Sequence, residues 1–204
     1  MNGFVGAGAL SEPLEVLELR ETSSGVWEWA PVCRAWAQVA QTAKTNLFSK
    51  VGVGARDAAV VLRRQPLTLH QALRWKGQHL FLTAITRRDR NHMDVAAALV
   101  DTVEVLCQRY TTVLGPDNRP EKQALPELVF PGVVTERYVR YAPEETYAKA
   151  KCGLVLVTPK VIQLKEGDLV TLRTGPVAAQ YNVQTRHVLD EYKNEYEIAW
   201  SKDI

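Results

Sequence analysis

Cysteine is scarce in this chain. Cys33, Cys107 and Cys152 are the only three in 204 residues, and no Cys-x-x-Cys pair occurs. An odd number at wide spacing supports neither a disulfide framework nor a zinc site. The thiols read as small core residues of a chain that folds in a reducing cytosol. A dominant charge is lacking too: 25 Lys and Arg against 23 Asp and Glu leave a formal net charge of +2. A dedicated duplex-binding domain carries a strong basic excess, so DNA binding is not expected as the main activity. No apolar run approaches the length of about 18 residues that spans a bilayer. Met1 to Leu10 lacks the basic start of a secretion signal, so no membrane association is expected.

Spacings that carry chemistry are equally sparse. His70, His79, His92 and His187 form no His-Glu-x-x-His arrangement, and His92-x-Asp94 offers two ligands without a third. Gly6-x-Gly8 and Gly52-x-Gly54 are lone glycine pairs, with no Gly-Lys-Ser/Thr phosphate loop and no Gly-x-Ser-x-Gly elbow. Cys107 precedes Gln108-Arg109-Tyr110, which suggests a thiolate beside a cation, but a buried cysteine at a strand end accounts for it better. Glu144 and Glu145 are adjacent and so do not face each other on a helix; they read as a helix start. No catalytic, cofactor-binding or metal-binding residue is assigned, and no enzyme is expected.

What the chain does have is strand patterning. Leu73 and Trp75 alternate before Gly77, and Leu80 and Leu82 alternate after it, as in two half-buried strands joined by a glycine turn. Such units recur at a spacing of about 100 residues. Leu14–Leu19 followed by Trp36–Val39 matches Leu128–Phe130 followed, after Pro131-Gly132, by Val133–Tyr141. A short helix follows in each copy, at Thr42 to Lys50 and from Pro143 to a closing Gly153. Ala59–Leu62 then matches Leu154–Val157, Leu69–Trp75 matches Leu164–Val170, Gly77 matches Gly175, and Leu80–Leu82 matches Tyr181–Val183. The last strands are Met93 to Val100 and Glu195 to Trp200. Between residues 95 and 110 both periods fit, because Met93, Ala97, Val100, Val103 and Cys107 also form a helical stripe.

Leu114-Gly115-Pro116-Asp117-Asn118-Arg119-Pro120 packs turn-formers together and reads as a linker. The expected architecture is therefore mainly β: two tandem small β-barrel units, each with a short helix. They occupy residues 1–113 and 127–204, joined by a linker at 114–126. Five or six short strands are too few for two stacked sheets, and closing the sheet removes edges that would aggregate.

Glu28-Trp29, then Trp36-Ala37-Gln38-Val39, a strand with Arg63, and a hairpin with Gly77, Phe81 and Ile85 resemble the head–tail adaptor family of tailed bacteriophages. These are the small head-closure, or stopper, proteins of the virion neck. The resemblance covers roughly residues 10 to 108, and the second unit lies beyond it. It implies a virion protein assembled in the host cytoplasm and located in the neck. There it forms a six- or twelvefold ring of identical copies around the DNA channel. Its partners would be the portal or adaptor protein on one side and a tail terminator or tail component on the other. DNA would pass without sequence-specific contact, and no cofactor is implied. The added unit points either to a stopper or to a tail-completion or tail-terminator-side ring of the same neck. A different class, a small-barrel nucleic-acid-binding protein, calls for aromatics flanked by cations on one face, and the near-neutral charge speaks against it.

Two groups of residues are candidates for that role. The segment with Lys44, Lys50, Val51, Gly52, Val53, Gly54 and Arg56 has the glycine spacing of a mobile loop, and in adaptor-like proteins a loop at this place lines or closes the channel. Trp27 and Trp29 share one strand face, and Arg87, Arg88 and Arg90 cluster before the last strand of the first unit; both sets suit a partner interface.

Overall fold

A computed structural model describes residues 7–45, 56–137, 153–173 and 178–204. The fold is mainly β. After a 3-10 turn at Ala7–Ala9, the described residues form fourteen strands. They are β1 (Glu12–Ser23), β2 (Val26–Thr45), β3 (Arg56–Arg63), β4 (Ala72–Trp75), β5 (Gln78–Arg87), β6 (His92–Val100) and β7 (Val103–Gln108). They continue with β8 (Tyr110–Leu114), β9 (Pro120–Ala124), β10 (Leu128–Arg137), β11 (Gly153–Pro159), β12 (Leu169–Leu172), β13 (Ala179–His187) and β14 (Lys193–Asp203). The chain divides into two compact units, one of residues 1–20 and 29–102, the other of residues 21–28 and 103–204.

In the first unit the pairings run β1–β4–β5–β6–β3–β2 and return from β2 to β1. Alternation along β3 supplies part of the core, while His79–Leu82 of β5 and Ala97–Val100 of β6 are buried on both faces. Ala58, Val60 and Leu62 of β3 point inward with Ala37, Leu73, Leu80, Leu82 and Val95. Leu62, Leu73 and Leu80 are wholly buried, and each contributes roughly 1.5–3 kcal/mol. The β4–β5 turn has two positive-φ residues, Lys76 (50°) and Gly77 (80°), between the paired Trp75 and Gln78. That is the backbone of a two-residue hairpin loop whose twist matches its strands.

In the second unit the pairings run β10–β11–β14–β13–β12–β7 and return from β7 to β10. Val105, Cys107, Phe130, Leu156, Val170, Leu172, Val183 and Tyr196 are buried. Read from the second strand of each unit, β2–β3–β6–β5–β4–β1 matches β10–β11–β14–β13–β12–β7 strand for strand. The matching of β3 to β11, β4 to β12, β5 to β13 and β6 to β14 is the one expected from sequence.

Several expectations need correction. The segment 114–126 is no open linker: Tyr110–Leu114 pairs with Pro120–Ala124 as a separate two-stranded sheet. Gly115 N–H donates to Arg119 O at 2.8 Å, and Asn118 takes φ 56° to close that turn. The boundary falls instead between Thr102 and Val103, and the β1–β2 tip, residues 21–28, groups with the second unit. The first strand of the second unit is therefore β7, not Leu128–Phe130. Pro131-Gly132 makes no turn; both lie within continuous β10. Gly132 is there for space, since a Cβ would sit 2.7 Å from Leu156 Cδ1 and 3.0 Å from Val105 Cγ2. Residues 103–108 are strand rather than helix, because their alternate residues Val105 and Cys107 pair across to Leu172 and Val170. Thr42–Thr45 of the expected first helix continue β2. The rest of that helix, the expected helix from Pro143, and Gly175 lie outside the described residues.

Candidate interaction surface

The first unit opens an irregular cleft of about 440 Å³ beside β2, lined by Leu10, Arg34, Ala35, Trp36, Arg63 and Gln65. Its shape follows from strand parity. Ala37 of β2 is fully buried, so Trp36 must face out, and it is 62% exposed. Val32 on the same strand is 47% exposed and Cys33 is an exposed free thiol. The β2–β3 ladder begins at Ala37↔Leu62, leaving Arg34 and Ala35 of β2 outside it. The Arg34 guanidinium reaches Glu15 at 3.9 Å while staying largely in solvent. The Gln65 side-chain Nε2 is buried and has no hydrogen-bond partner among the described residues. A buried donor without an acceptor is unfavourable by about 1–3 kcal/mol.

A second exposed feature is the β8–β9 hairpin, whose residues are exposed apart from half-buried Thr111 and Gly115. Tyr110 (53%), Leu114 (72%) and nearby Leu125 (41%) present large apolar groups to solvent. Asp117 and Glu121 lie at and just past its tip.

The arginine cluster is only partly free. Arg88 is half-buried, and its Nη1 donates to Asp94 Oδ1 at 3.0 Å. Arg87 is exposed and its Nε donates to Asp89 O at 3.1 Å; Arg90 is exposed. Asp89 holds the loop, accepting the Asn91 and His92 backbone N–H groups at 2.7 Å each and contacting His92 Nδ1 at 2.9 Å. These bonds, that of the His92 ring first, hold the Asp89 carboxyl below its ordinary range. Trp27 and Trp29 are both half-buried. Trp29 tilts against the His79 ring, with centroids 5.2 Å apart. Of the channel-loop candidates, Lys44 lies in β2 and exposed Arg56 opens β3, while Lys50, Val51, Gly52, Val53 and Gly54 lie outside the described residues.

Cys107 is wholly buried, and burial, reinforced by the nearby Asp168 carboxylate, pushes its thiol up to about 12. Arg109 acts in the opposite direction but is outweighed by burial and by Asp168, which its guanidinium meets at 2.8 Å. Among the described residues no group of three or more His, Cys, Asp or Glu side chains is arranged to hold a metal ion. Also among them, no helix is long and apolar enough to cross a membrane.

Trp36 is exposed, whereas the interface candidates Trp27 and Trp29 are half-buried. The sequence carries the signal: Ala35, Ala37 and Val39 form an inward row of small residues, which sends Trp36 to the opposite face. The β8–β9 hairpin left no such trace, since a strand exposed on both faces has no alternation.

No family model matches the chain. No curated protein matches it either. Among solved structures, it is similar to a chain of a structure described as the virion of a native gene transfer agent particle. The similarity has a TM-score of 0.36 at 19% identity and covers 44% of this chain and 93% of that one.

Proposed function

We propose that this chain is a structural component of a tailed-phage neck. It would form a head–tail connector or stopper ring, with six or twelve copies around the DNA channel, joining the portal-side adaptor to the tail. One observation carries the reading. The stretch that resembles the head–tail adaptor family, about residues 10 to 108, contains a complete strand cycle, Glu12 to Val100, with its own core. We read each such cycle as a small closed barrel, a form without free edges that suits a subunit packed between rings. Exposed Trp36 and Val32 on one strand, next to cationic Arg34 and Arg63, give the first unit a surface of the composition found at protein interfaces. The role is one of contact rather than catalysis, and DNA passes without base-specific recognition.

The test is genetic. Disrupting this gene in the phage that encodes it should yield DNA-filled heads and separate tails, and expression of the intact chain in trans should restore joined particles. Normal numbers of joined, infectious particles in its absence would overturn the proposal.

A further inference from the structure

The matching strand cycles can be set in register. Gln38 pairs with Val61 in the first unit and Val133 with Val157 in the second. The ladders run on in step and end at Arg63↔His92 and Pro159↔Lys193. Even the next backbone bonds correspond: Arg64 N–H to Asn91 O at 2.7 Å, and Lys160 N–H to Tyr192 O at 3.2 Å. Counting four residues back from Gln38 and from Val133, Arg34 takes in the first unit the place that Val129 takes in the second.

In the second unit that place is filled. The β1–β2 tip lies along it, with Val26 paired in parallel to Val129, and Val129 N–H donates to Gly25 O at 2.8 Å. The approach is close enough to require glycine: Gly25 has φ +79°, and a Cβ there would lie 2.9 Å from Glu127 O. In the first unit no strand among the described residues pairs with the corresponding edge of β2, which lies before the β2–β3 ladder begins at Ala37. That edge carries exposed Val32 and Trp36, the open cleft, and the buried Gln65 Nε2, which has no hydrogen-bond partner among the described residues.

The β8–β9 hairpin is the counterpart of the β1–β2 tip. Each lies at the far end of the pairing between the first two strands of its unit, and each has a positive-φ turn residue, Gly25 or Asn118. The β1–β2 tip is seated against β10; the β8–β9 hairpin buries almost nothing. An isolated two-stranded hairpin is marginal in water, so this one is built for a seat. Its exposed Leu114 and Tyr110 suit the exposed apolar residues of that edge, Val32 and Trp36.

We propose that the β8–β9 hairpin of one copy adds to the β2 edge around Arg34 of a second copy, as the β1–β2 tip adds to β10 around Val129. The contact joins two different surfaces, so it propagates head to tail and closes a ring when the rotation allows. It rests on the reading above that the chain assembles with itself, and it supplies the contact.

Cys33 provides the test, being an exposed thiol one residue from Arg34. Two forms of the full chain are co-expressed with different tags. One carries Asp117→Cys, Cys33→Ser and Cys152→Ser; the other carries Cys152→Ser alone. Buried Cys107 stays in both. A short bifunctional thiol reagent should join the two forms covalently, and adding Leu114→Asp should cut the yield about tenfold or more while leaving the melting temperature unchanged. A chain holding Asp117→Cys together with Cys33 should give a ladder of oligomers. If the two forms are not joined while mass photometry shows multimers, the hairpin contact is wrong and the ring reading stands. If the chain with both thiols links only within itself, the inference also falls. If every form stays monomeric at all concentrations, self-assembly and the inference fall together.

Discussion

Arg109 and Asp168 form an ion pair in the second unit: Arg109 Nε donates to Asp168 Oδ2 at 2.8 Å, with the carboxylate almost fully buried. The same oxygen accepts the Lys165 N–H at 2.7 Å, and an Arg109 Nη2 proton goes to Gln163 O. One guanidinium thus ties the end of β7 to the turn that leads into β12. Removing one partner of a buried pair leaves an uncompensated charge. Arg109→Ala should therefore destabilise the fold by about 3 kcal/mol, and replacing both residues by apolar ones should cost less. Chemical denaturation of the two variants checks this; equal losses would show that the pair is not coupled.

Stability should fall on mild acidification because of His79. Burial, with a smaller contribution from Arg74, lowers its pKa from 6.5 to about 4. Between those values the unfolded chain binds the proton and the folded chain does not, so stability falls as pH falls from about 6.5 towards 4 and is level above. The expected loss from pH 7 to pH 5 is roughly 2 kcal/mol. Melting temperatures across that range should show the slope, and His79→Gln should flatten it. An unchanged slope in the variant would place its origin elsewhere.

The hairpin turn at Lys76 and Gly77 should be sensitive to substitution at one position and tolerant at the other. Gly77 has φ 80°, and Gly77→Val should cost about 1–2 kcal/mol. Lys76 holds φ 50°, which asparagine tolerates better than lysine. Its ammonium also lies 3.1 Å from Glu12 and 4.5 Å above the Trp75 ring. These exposed contacts are weak, so Lys76→Asn should be near neutral. Thermal melts of both variants test the ordering; a Gly77→Val chain as stable as the parent would refute it.

Tyr196 is wholly buried and links two backbone groups, accepting Leu164 N–H at 3.0 Å and donating to Ile162 O at 3.1 Å. The Ile162 carbonyl has a second donor in Asn194 Nδ2 at 2.9 Å. Tyr196→Phe therefore orphans only the Leu164 N–H, for a loss of about 1–3 kcal/mol. Amide exchange should speed up at Leu164 more than at its neighbours, and no change there would mean that the amide has found another acceptor.

The parts legible in the sequence were the apolar strands around the core. Leu73–Trp75 and Ala58–Leu62 alternate, Leu80–Leu82 is buried on both faces but still reads as an apolar strand after Gly77, and their partners in the second unit follow at a fixed spacing, so four of the six strand equivalences are matched. The first strand of the second unit was missed for two reasons. Val103 to Cys107 fits both periods, and Pro131-Gly132 looks like a turn, although Gly132 is small only because Leu156 and Val105 crowd it. Residues 110–124 carry no burial signal, so their turn residues read as a linker when they close a hairpin. The arginine cluster was legible as charged but not as tethered: Asp94 six residues after Arg88 becomes its partner only across the loop.

The central claim is that the chain sits in the virion neck. Electron microscopy of purified particles, with gold-labelled antibody against this chain, tests it most directly. Label is expected only at the junction of head and tail, and on the separated head or tail that retains the ring. Label on the capsid shell or the tail tip, or particles free of the chain, would contradict it.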